Sequence, residues 1–207
     1  MKKIVPYLFY TLLFVFSSPV WASEIGLHDA THTNHQHHQA WQDIHFWEGA
    51  VSGLLFHELG HVVIGMSYGG KPQLNQGSIV YPNSAFSRKA SMRVSSAGFQ
   101  AQWLLSELSF SALKKHDGMF SSAYYQGAIA MHLAISTAYL LRLKDMPTSD
   151  IYAASKTSNI SREQLAWAVF LPAALDAYRL MGQDVPDWVS HLSVGIKLAE
   201  VGYIWQF

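Results

Sequence analysis

This chain of 207 residues has no cysteine. That excludes disulfides, thiolate-bound zinc and a thiol nucleophile. Charge is also scarce: Asp, Glu, Lys and Arg make up 14% of the residues, against about 25% in an average soluble domain. Neither sign is in excess, since 14 basic residues meet 14 acidic ones. A pI near 7.2 offers no basic face for nucleic acid. Half of the chain is hydrophobic, and the mean hydropathy is +0.09. A chain that avoids charge while rich in apolar residues fits a membrane environment, where charge is costly.

The first residues read as a targeting signal. Lys2 and Lys3 precede the apolar run Ile4 to Phe16, which Ser17-Ser18-Pro19 breaks. Val20 and Ala22 then place small residues before a cleavage point after Ala22. The other reading is an uncleaved anchor, but the apolar core is shorter than the roughly 20 residues a spanning helix needs. Residues 1–22 are therefore taken as a signal peptide. Residues 23–45 form an exported, disordered segment holding His28, His32, His35, His37, His38 and His45. Such a tract either captures metal or serves as a solvated linker.

From Phe46 to Phe207 charge thins out in blocks: 46–68, 94–113, 118–141, 164–181 and 189–207. Each block is about long enough to cross a ~30 Å hydrocarbon core as a helix. The expected fold is all-α, a multi-pass bundle of four or five transmembrane helices. With the N-terminus exported, Lys71, Arg88, Lys89 and Arg93 fall on the cytoplasmic side. So do Arg142, Lys144, Lys156 and Arg162, as the positive-inside rule requires. The stretch KPQLNQGSIVYPN, with Asn75-Gln76-Gly77 as a turn, suggests a small cytoplasmic β-hairpin.

The chemistry is concentrated in FHELGH. His57 and His61 are one helical turn apart, about 40° around the axis. Both imidazoles can thus reach one metal ion, and Glu58 beside them can act as general base towards a zinc-activated water. Two histidines and a glutamate in an apolar run need partners, and metal ligation supplies them. A catalytic zinc takes a third protein ligand. Glu107, in WLLSELSF, and Asp176, in LPAALDAYR, are the candidates. Pro172 ahead of Asp176 can open that helix locally. Ile64 and Ser67 stand where a metzincin would carry glycine and histidine, which excludes that class.

FHELGH, the following polar loop, SSAGFQAQ and LPAALDAYR together resemble the site-2 protease family of intramembrane zinc metalloproteases, over residues 56–179. The resemblance implies zinc held by His57, His61 and Asp176, with Glu58 as catalytic base. It also implies substrate contacts at Gly98 and Gln102, where the family has glycine and asparagine. Phe99 replaces the family's proline, and Ala177 replaces its glycine. By span counting, the Asp176 helix runs antiparallel to the HELGH helix. That puts Asp176 towards the outside and His61 towards the cytoplasm.

The implied activity is hydrolysis of peptide bonds in membrane-embedded or membrane-proximal protein segments, in a bacterial inner membrane. The partners are a protein substrate and the lipid bilayer, not nucleic acid. Two rivals stand beside it: a non-catalytic membrane metal-handling protein, and a soluble exported zincin using Glu107.

Overall fold

A computed structural model describes residues 40–75, 78–115, 118–182 and 184–207. The expected signal peptide, most of the histidine tract and the hairpin tip at 76–77 lie outside the described residues. Among the described residues the fold is made of six α-helices and one two-stranded sheet. They are α1 (Ile44–Ser67), β1 (Gln73–Asn75), β2 (Ser78–Val80), α2 (Arg88–Lys115), α3 (Ser122–Leu141), α4 (Asp150–Thr157), α5 (Arg162–Met181) and α6 (Asp187–Gln206). The five long helices coincide with the five charge-poor blocks. Among them, α1 alone is long and apolar enough to cross a membrane by length and composition.

Local chemistry sets the helix ends. Asp43 caps α1 by accepting from the His45 N–H at 2.9 Å. The chain leaves α1 through Gly69 at φ +76°, a left-handed conformation that glycine adopts without a Cβ clash. Ser161 and Gln164 form a reciprocal capping box at the start of α5. Pro172 does not open α5, contrary to the sequence expectation, and the helix runs unbroken from Arg162 to Met181. The ring costs one internal hydrogen bond, and packing of buried Ala173 and Ala177 against Leu133 holds the helix together.

Close approach fixes the helix directions. Gly49 of α1 lies on the Tyr124 carbonyl of α3, and Gly127 of α3 lies on the Phe46 carbonyl. A Cβ at either glycine would stand 1.9 Å from that oxygen, so only glycine permits this contact. Further along, Gly53 meets Ala128 and Met131 and the His57 ring faces Tyr139, so α1 and α3 run the same way. Helix α2 runs against both, because His57 meets Gln102 while His61 meets Val94. Helix α6 also opposes α2, with Arg93 on Trp205 and Lys197 on Ser106. The buried core gathers Phe99, Trp103, Met131, Ile135, Tyr139 and Ile151.

The hairpin expected from the sequence is present, with Gln73 opposite Val80 and Asn75 opposite Ser78. The connection from α3 to α5 is more than a loop. It turns through Leu143–Asp145 and forms α4, which packs back on α2. Arg88 ties this segment down, donating to the Thr157 carbonyl and to Asn159.

Candidate metal centre

The i, i+4 spacing carries His57 and His61 onto one face of α1, where both are buried. Their Nε2 atoms stand 3.3 Å apart. Each ring is oriented from behind. The His61 Nδ1–H donates to the Val94 carbonyl at 2.7 Å, and the His57 Nδ1–H donates to Gln102 Oε1 at 3.1 Å. With Nδ1 of both rings occupied, both Nε2 lone pairs are free for a metal. Gly98 of α2 makes room for the pair. A Cβ there would lie 2.5 Å from both Nε2 atoms.

The third donor is Asp150, at the start of α4. Its Oδ2 lies 3.2 Å from His57 Nε2 and 3.3 Å from His61 Nε2. The Tyr139 hydroxyl donates to the same oxygen. The three donor atoms therefore form a nearly equilateral triangle. In a tetrahedral zinc site with bonds of about 2.0–2.1 Å, ligand atoms stand roughly 3.3–3.4 Å apart, so this donor set fits zinc. The N-terminal position on α4, behind the Ser149 cap, favours a carboxylate through the helix dipole. Burial opposes ionisation of Asp150, but the two imidazoles facing it hold its pKa well below the usual carboxylate range.

Glu58 points into the same cavity, of about 110 Å³, which Leu54, Ile79, Met146 and Thr148 also line. Its Oε2 accepts from the Ile79 N–H of β2 at 3.2 Å. Since this N–H faces Glu58 and not β1, the free edge of β2 borders the cavity. The hairpin is anchored there by Tyr81, whose hydroxyl donates to the His61 carbonyl at 2.5 Å. Burial and the nearby Glu58 raise the Tyr81 pKa, which keeps the phenol protonated as a donor.

Asp176 is not in this group, and the assignment of it as third ligand is corrected. Its carboxylate is fully buried and accepts from Lys197 at 2.5 Å, Arg179 at 2.9 Å and Ser193 at 2.7 Å, as well as from Ser106. Helix α5 packs on α3 and α6, and it meets α2 at Ser106, one turn beyond Gln102. The rival ligand Glu107 is committed to the same cluster, paired with Arg179 and Lys197 at 2.6 Å each. His132 lies 3.8 Å from Asp176. Two further expectations change. Gln102 is buried behind His57 and orients that ring, and Gly98 packs against the imidazoles, so neither faces the cavity as a substrate contact.

Asp150 was not among the candidate ligands expected from the sequence, because its loop stands out there for its basic residues. One signal was present: a few residues after the charge-free helix come Pro147, a Ser149 cap and then an acid. That helix ends at the level of His61, so the separation in height expected between Asp176 and the histidines does not arise for Asp150. No protein family matches this chain, and no curated protein or solved structure shows significant similarity to it.

Proposed function

We propose that the chain is a membrane-embedded zinc hydrolase with His57, His61 and Asp150 as ligands and Glu58 as base. More particularly, it acts as an intramembrane protease of the site-2 type on protein segments in or near the bilayer. The observation that carries this reading is the triangle of three donor atoms with Glu58 lining the same cavity.

The outer surface supports a membrane location with several spans. Val51, Leu55, Leu59 and Val63 are exposed along α1, as are Leu104 and Leu108 on α2 and Leu192 and Leu198 on α6. Exposed aromatics cluster at the helix ends. Trp47, Tyr178 and Trp188 mark one side, and Tyr68, Trp167, Tyr203 and Trp205 mark the other. From Trp47 to Tyr68 the rise along α1 is about 30 Å, the thickness of a hydrocarbon core. Amphipathic rings favour both interfaces of a bilayer. The cationic residues Arg88, Lys89, Lys144, Lys156 and Arg162 lie on the hairpin side, which favours a cytoplasmic hairpin in an inner membrane.

Zinc held there would polarise a peptide carbonyl and lower the pKa of a water to about 7. The residues supply the rest. An extended substrate pairs with the free edge of β2, taking the Ile79 N–H from Glu58. Glu58, released, accepts a proton at Oε2 and delivers it to the leaving amine. Gln102 and the Val94 carbonyl keep the imidazoles in register, and Tyr139 holds Asp150. Substrate helices must unwind to enter this strand register, so segments with weak helix propensity are preferred.

The test is zinc content per chain, measured on detergent-purified protein lacking residues 28–38, with cleavage of a fluorogenic transmembrane peptide. The parent holds about one zinc and cleaves. Glu58→Gln keeps the zinc and does not cleave. A parent without zinc, or a Glu58→Gln variant that cleaves like the parent, overturns the reading.

A further inference from the structure

A second, larger cavity lies on the far side of Phe99 from the metal centre, between α2, α4, α5 and α6. It encloses about 340 Å³, within the range of about 300–1,000 Å³ typical of small-molecule sites. Its wall is almost wholly apolar, with Phe99, Ile151, Val169 and Ile204 prominent. Of the polar groups that interrupt it, Ser95, Ser96 and Gln164 are already hydrogen-bonded, and two others are not. Glu200 Oε2 and Trp103 Nε1 are buried with no hydrogen-bond partner. Such groups carry a desolvation cost until something satisfies them.

The two sit at one level. Lys197 Nζ reaches Ser106 Oγ at 3.4 Å between opposed helices. Glu200 and Trp103 are each three residues from that contact, displaced in the same direction. Charge balance identifies what is missing. Lys197 and Arg179 are already matched by Glu107 and Asp176 in the neighbouring cluster. Of the acids beside this cluster, Glu200 is the one whose Oε2 makes no hydrogen bond. The site therefore presents an apolar barrel, one unmatched carboxyl and one N–H donor.

We propose that this cavity binds a single-chain amphiphile with an aliphatic tail and an amino-alcohol head. The ammonium pairs with Glu200, the head oxygen accepts from Trp103 Nε1–H, and the tail lies along Phe99, Val169 and Ile204. This inference stands apart from the metal reading, because no residue it uses belongs to the zinc site.

The probe is 2-amino-1-dodecanol carrying a mid-chain diazirine, photolysed with the full-length purified protein, with adducts mapped by peptide mass spectrometry. Adducts are expected between residues 92–103, 164–169 and 196–204. Excess 2-amino-1-dodecanol should suppress them, and excess 1-dodecanol should not. Glu200→Gln keeps the side-chain shape and should cut labelling about tenfold or more, as the loss of a charge-assisted contact implies. Trp103→Phe should cut it a few-fold. Helical content by circular dichroism equal to the parent's separates these losses from misfolding. Equal labelling of Glu200→Gln and parent, equal competition by 1-dodecanol, or adducts spread over the outer face of α1 overturns the proposal.

Discussion

Two carboxylates, Asp150 and Asp176, are each held by a set of polar side chains, and the two sets differ in kind. Asp176 has its own cations. Lys197 and Arg179 touch it directly, and Glu107 balances them. Asp150 has no lysine or arginine beside it: its contacts are two imidazoles, with Nε2 turned towards it, and the Tyr139 hydroxyl. A carboxylate that already holds two cations has nothing to gain from a metal. One whose neighbours present lone pairs is incomplete until a cation arrives. The identity of a ligand thus follows from what its neighbours lack, and an acid in an apolar run is not by itself a sign of metal binding.

Asp150→Asn should break this contrast most sharply. Zinc should fall from about one per chain to near zero, by elemental analysis, and peptide cleavage should cease with it. Asp176→Asn should do the reverse, keeping zinc and losing stability. Removing one partner from a buried ion cluster leaves uncompensated charge and costs about 3–5 kcal/mol, read from denaturant unfolding in mild detergent. If Asp176→Asn loses zinc at unchanged stability, the two roles are exchanged.

Smaller changes sharpen the picture within the zinc site. Gln102→Leu removes the group that orients His57, and losses of such partners lower metal affinity about 10–100-fold. Competition with a chelator of known affinity measures this, and the same titration strips zinc from the parent reversibly. Tyr139→Phe removes one hydrogen bond to Asp150. At about 1 kcal/mol this weakens zinc roughly fivefold, the smallest effect of the series.

Much of the site was legible because it is local. Helix periodicity alone brings His57 and His61 together and sets Glu58 beside them, and the turn residues around Asn75 announced the hairpin. The depth mismatch of Asp176 was legible too, since it follows from counting spans. What could not be read was that Pro172 would be tolerated inside α5, or that Gln102 would face His57 in place of the cavity. Both depend on which helix packs against which face.

The sequence by itself determined two candidate ligands, a candidate base and the positions of the helices, because each rests on spacing within one turn or on runs of apolar residues. Only the tertiary structure decided which carboxylate joins the two histidines. Asp150 reaches His57 from 93 positions away, through the parallel packing of α1 and α3 at Gly49 and Gly127 and the return of α4 onto α2. No local rule encodes that distance. It is set by how closely two helix backbones can approach, and here two missing Cβ atoms allow it.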